Sequence, residues 1–151
     1  MPALLEFKAA HERRHGACFK YAVVYIAEAH ASDTWPMGWA VEWETPKSLG
    51  ARKKYAATCA RDLAIPLVPG STNAFELFVD GMDDAFNRAL APWPTCYYVI
   101  SAGARLLYVG ESAVDSASYD VGELFRFMRR WSQQQRGRAA AVQAAGRART
   151  S

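Results

Sequence analysis

No CxxC pair occurs in this sequence, and its cysteines number three: Cys18, Cys59 and Cys96. An odd, widely spaced set argues against a disulfide scaffold and against a cysteine-based zinc site. Histidine is equally sparse. His11 and His15 stand four apart, close enough to share a helix face, but no HExxH accompanies them. No run approaches 18 apolar residues, so the sequence predicts no membrane span. The N-terminus, MPALLEFKAAHERRHG, lacks the order of basic region, apolar region and cleavage site that marks a signal peptide. A soluble, cytoplasmic chain is expected.

Acid is missing from one stretch only. Residues 136–151 hold Arg136, Arg138, Arg147 and Arg149 and no Asp or Glu. Setting those four aside takes the 18 basic residues to 14, against 15 acids, so residues 1–135 carry −1. The basicity belongs to the tail, which is expected to be disordered or a frayed helix. A nearly neutral body argues against a nucleic-acid partner.

What is present is an α/β pattern. Hydrophobic residues make up 51% of the 151, enough for one domain with its own core. Residues 2–14 suit an amphipathic helix stopped by Gly16. Phe19–Ala27 is β-branched, aromatic and apolar on both faces, as a strand inside a parallel sheet would be. Residues 31–47 read as a loop, with Trp35, Trp39 and Trp43 as packing anchors. Ser48 is placed to cap a helix to about Leu63, along which Arg52, Lys53, Lys54 and Arg61 should be solvated. A strand at 74–80, a short helix at 83–90 and a hairpin at 96–101 and 105–110 follow. The last helix spans 119–135, with Val121, Leu124, Phe125, Met128 and Trp131 as its buried stripe. The domain is expected to occupy 1–135 and the tail 136–151.

Chemistry concentrates after the first strand. If the strand continues past Ala27, Glu28 and His30 share a face at its carboxyl end, where open α/β sheets build their sites. A carboxylate beside an imidazole holds its tautomer and can relay protons. Spacing alone also fits a surface ion pair. Ser32 and Asp33 then start the loop. Further on, Pro94-Thr95 precedes a strand, which fits either a cis-proline approach or an ordinary turn.

The segment YIAEAHASDTW resembles the signature of the iodothyronine deiodinase family, Tyr-Ile-Glu-Glu-Ala-His-Ala/Pro-Ser-Asp-Gly-Trp. Tyr25, Ile26, Glu28, Ala29, His30, Ala31, Ser32, Asp33 and Trp35 match, while Ala27 and Thr34 depart. Weaker similarity continues through Ser48-Leu49, Arg52, Val79-Asp80, Met82, Tyr98-Val99-Ile100, Gly103, Tyr108 and Gly110, covering about residues 1–131. The resemblance implies a thioredoxin-like mixed sheet flanked by helices. It implies reductive removal of iodine from an iodinated aromatic such as thyroxine, by a selenocysteine or cysteine that an external thiol regenerates, with no bound cofactor and no metal. Glu28 and His30 take the catalytic, proton-handling positions. Ser32, Asp33, Trp35, Pro94 and Thr95 shape the site. Pro94 departs from the deiodinases and restores the Pro-Thr of thioredoxins. Pro46 stands where the family has a second histidine, and Ser112 near the place of its arginine.

In that family the nucleophile precedes the helix that residues 1–14 resemble. The expectation is therefore a chain truncated just after the selenocysteine or cysteine position, because UGA is read as stop and the next methionine as start. The first strand, expected mid-sheet between 19–27 and 96–101, would be missing with it. Members of the family are often homodimeric and anchored to membranes by an N-terminal segment, which would lie upstream of Met1. The alternatives are a non-catalytic thioredoxin-fold binding module, a thiol-dependent enzyme acting on peroxides or another halogenated substrate, or a nucleic-acid or anionic-surface binder using the Arg tail, against which stands the lack of aromatics among its four arginines.

Overall fold

The structure is a computed structural model, and it describes residues 2–28, 30–36, 43–67, 74–92, 95–110 and 121–148. In chain order its elements are α1 (Pro2–His15), β1 (Ala22–Tyr25), α2 (Leu49–Asp62), β2 (Glu76–Val79), α3 (Ala85–Leu90), β3 (Tyr98–Ile100), β4 (Leu106–Val109) and α4 (Val121–Ala148). The chain is mixed α/β, and it divides into two compact units. One holds Phe19–Cys96; the other holds α1, the β3–β4 hairpin and α4.

In the first unit β1 and β2 pair in parallel, from Ala22 opposite Glu76 to Tyr25 opposite Val79. The Asp80 amide donates to the Tyr25 carbonyl at 2.8 Å, which carries the ladder one step past β2. Ser48 starts α2 as expected: its hydroxyl accepts from the Ala51 amide at 3.2 Å. Ala56 and Ala60 form the buried face of that helix together with Arg52.

One expectation for β1 needs correcting. A strand apolar on both faces should be buried on both, yet its residues are exposed or half-buried. The reason is that each sheet has two strands, β1 with β2 and β3 with β4. Among the described residues β1 has a ladder partner on one edge only.

In the second unit β3 and β4 form an antiparallel hairpin turned by residues 101–105, with a register irregularity between Val99 and Ile100. Helix α1 ends at Gly16, whose φ of +75° suits glycine. It packs on α4 through stacked Phe7 and Phe125 rings 4.0 Å apart. Leu124 and Met128 are buried, while Val121, Phe125 and Trp131 are half-buried. Where the sequence suggests a helix ending at 135 and then a disordered tail, α4 runs on to Ala148.

Histidine 11 is 4% exposed on this interface. The Ser132 hydroxyl donates to the Met128 carbonyl at 2.9 Å and meets His11 Nε2 at 3.1 Å. Its hydrogen is thereby committed, so the imidazole donates through Nε2. Cys18 Sγ lies 3.5 Å from the same hydroxyl. Burial, and then the neighbouring His15, hold His11 below its ordinary value against the opposing pull of the Met128 carbonyl and Glu12. The unfolded chain therefore takes up a proton before the folded one does. Stability is complete above about pH 6.5, the unfolded value, and falls as pH drops from there toward the folded value. Urea midpoints should decline across that window, and His11→Gln should flatten the decline.

Candidate functional site

The carboxyl ends of the two parallel strands bring a polar cluster together. Tyr25 closes β1, Asp80 follows β2, and Arg52 reaches over both from α2. Arg52 is 3% exposed. Its guanidinium donates to the Asp80 carbonyl at 3.3 Å, to the Gly81 carbonyl, and to the Asp84 carboxylate at 2.8 Å. The sequence pattern put this arginine in solvent with Lys53 and Lys54, and the structure overturns that. Ala56 and Ala60, one and two turns on, are small enough to let α2 settle against β2. The side chain at position 52 is then enclosed.

Asp80 serves as a fixed anion. Its carboxylate accepts from the amides of Gly81, Phe86 and Asn87 at 2.9, 3.0 and 2.9 Å, capping the first turn of α3. Burial would raise its pKa, but the three amides and Arg52 more than offset that and hold it below the usual carboxylate range.

Glu28 has a different environment. Both carboxylate oxygens are closed off from solvent, and neither has a hydrogen bond of ordinary geometry. The Tyr25 hydroxyl is near enough to sense its charge. Burial pushes that phenol well above its usual range, and Glu28, as acceptor and neighbouring anion, adds to the rise. A desolvated carboxylate without full hydrogen bonding is costly, and such groups mark places where the protein keeps an acceptor available.

His30 is half-buried, and its ring packs on Trp35 with centroids 5.0 Å apart. Its Nδ1 is buried without a hydrogen-bond partner. No hydrogen bond links it to Glu28. The strand stops at Tyr25, so the period-two argument does not reach residues 28 and 30, and Glu28 turns toward Tyr25 instead. Trp35 is 56% exposed, so it is a cover on His30 rather than a packing anchor. Trp43 does anchor, with its ring 4.4 Å from that of Tyr55 on α2. Trp39 lies outside the described residues.

Ser32 and Asp33 are exposed and hold the loop in shape. The Ser32 amide donates to the Trp43 carbonyl at 2.8 Å. The Asp33 carboxylate accepts from the Thr45 amide at 2.7 Å and the Thr45 hydroxyl at 2.9 Å. Those bonds from Thr45 hold Asp33 below the usual carboxylate range. Thr95 is exposed ahead of β3, and Pro94 lies outside the described residues.

Cys59 does not sit as an activated nucleophile. Burial, and then Asp62, push the Cys59 thiol up, which disfavours the reactive thiolate. A shallow groove lined by Trp43, Glu44, Lys54, Tyr55 and Thr58 contains neither Glu28 nor His30. Among the described residues no group of three or more His, Cys, Asp or Glu could hold a metal ion, and no helix is long and apolar enough to cross a membrane. Sequence reasoning missed Tyr25, Arg52 and Asp80 as parts of the cluster. The buried face shared by Arg52, Ala56 and Ala60 was the available signal.

Comparison with known proteins finds no matching family model and no matching curated protein.

Proposed function

We propose that this chain carries the proton-handling half of a thioredoxin-like, deiodinase-like oxidoreductase. The observation that carries the reading is the Glu28 carboxylate, closed off from solvent and poorly hydrogen-bonded at the end of a parallel strand. His30 follows two residues later with an unpartnered ring nitrogen. Both residues belong to the segment that resembles the deiodinase signature.

The chemistry divides simply. A selenolate or thiolate, on a strand that would precede Met1, attacks the iodine of an iodinated aromatic. The carbon–iodine bond breaks, a selenium–iodine or sulfur–iodine bond forms, and the ring carbon takes a proton. Two external thiols then reduce that bond, leaving as a disulfide and releasing iodide and protons. His30 delivers the ring proton or holds the aromatic hydroxyl, and Glu28, which has no direct hydrogen bond to it, replenishes it through a bridging water. Asp33, Ser32 and Thr45 keep the loop carrying His30 in place, and Trp35 shields the imidazole.

The test is iodide release from iodinated phenols, with a thiol as reductant, by the protein translated from the upstream codons. Thiol-dependent release supports the reading. Turnover of peroxide but not of iodinated aromatics would move the substrate to the alternative class.

A further inference from the structure

The tail that looked incidental in the sequence is the distal half of α4, and it changes the charge distribution. Helix α4 exposes Arg126, Arg129, Arg130, Arg136, Arg138 and Arg147, and no acid follows Glu123 anywhere in the chain. We propose that this arginine-lined helix is a binding surface for double-stranded DNA, engaged through the phosphate backbone.

The arrangement is directional. At about 100° per residue, Arg129, Arg136 and Arg147 fall within about 20° of one line along the helix, Arg126 and Arg130 lie about 60° and 100° to one side of it, and Arg138 is on the far face. That line runs about 27 Å from Arg129 to Arg147. The buried stripe of Leu124, Met128 and Ser132 lies about a quarter-turn from that line. Every residue from Arg136 to Arg147 is exposed, so this part of the helix stands clear of its own unit. Arg13 and Arg14, exposed at the end of α1, extend the basic surface. They are tied to it by Arg136, which donates to the Arg14 carbonyl at 2.7 Å. Arg126 also pairs with Glu123 one turn back, at 3.8 Å, so the cations beyond the reach of the helix's one acid begin at Arg129.

The residue types select the partner. All the cations on α4 are arginines, whose fork matches phosphate with two hydrogen bonds where lysine offers a point charge. Between Arg138 and Arg147 stand only Ala, Gly, Gln and Val142. A helix lying in a membrane interface needs Trp, Phe or Leu on its other face, and this stretch has none. Small side chains instead keep the helix slim, and a slim helix fits the B-form major groove while the A-form groove is too narrow. The near-neutral body spoke against a nucleic acid, but a continuous helix gathers the charge that composition had divided between body and tail.

The experiment is fluorescence anisotropy of the full chain with a labelled, mixed-sequence DNA duplex. Affinity should fall about 100-fold between about 50 mM and 200 mM salt, as expected for about four phosphate contacts. Arg129→Gln/Arg136→Gln/Arg147→Gln, the three arginines of the line, should weaken binding at least tenfold and reduce the salt slope by two to three. Lys53→Gln/Lys54→Gln, on α2, should change neither. If the triple variant loses helicity by circular dichroism, Arg130→Gln in the packed half carries the test, with a slope lower by about one. The proposal is overturned if binding is absent or insensitive to salt, or if the arginine variants bind like the parent. It is likewise overturned if an RNA duplex of equal length binds as well as DNA, or if phosphatidylserine vesicles are preferred to either.

Discussion

Replacing His30 with alanine in the protein extended through its nucleophile lowers iodide release about 100-fold or more, the range general acid–base groups supply. The fold should not change, because the ring contacts Trp35, itself 56% exposed, and its Nδ1 bonds to nothing. Glu28→Gln should lower the rate as well, by removing the base that recharges His30. It should leave the thermal midpoint unchanged or higher, because a neutral amide is cheaper to bury than a carboxyl group whose oxygens are closed off beside the Tyr25 hydroxyl. Opposite movements of rate and stability identify a residue kept for chemistry. A fall in both would make Glu28 a structural group and sink its role as a proton relay.

Arg52→Ala has the largest expected effect on stability, a loss of about 3 kcal/mol, since it removes a buried cation hydrogen-bonded to charged and backbone acceptors. Two carbonyls, those of Asp80 and Gly81, would lose their donor, and Asp84 its ion pair. The Asp80 cap on α3 would lose the adjacent positive charge that helps keep it ionised. Arg52→Lys should recover part of the loss, because all three acceptors meet the one nitrogen Nη1, which an ammonium with three hydrogens can replace as far as its shorter stem reaches. Urea unfolding at neutral pH measures both. An Arg52→Ala protein as stable as the parent would show that the β2–α2 latch contributes little.

Much of the fold could be read in advance, and the failures have physical causes. The order of helices and strands, the parallel pair followed by the hairpin, and the Ser48 cap all follow from local periodicity and capping chemistry, which are local in sequence. Arg52 could not be read, because three cations in a row look solvated until Ala56 and Ala60 are seen to draw that face inward. His11 was noted only for its spacing from His15. Its burial against Ser132 depends on α4, more than a hundred residues away. Glu28 and His30 were singled out for a reason that fails. The strand ends too early to align them, and Glu28 meets Tyr25 instead. The scarcity of cysteine, which argued against a disulfide scaffold and a cysteine-based zinc site, does not bear on redox chemistry if the redox residue is one that standard translation does not show.

The most direct measurement is therefore the genomic sequence immediately upstream of the Met1 codon. The account predicts an in-frame UGA or cysteine codon within a few codons of it, preceded by coding for an apolar strand. Upstream sequence with neither, or with an in-frame stop that cannot be read through, would contradict it.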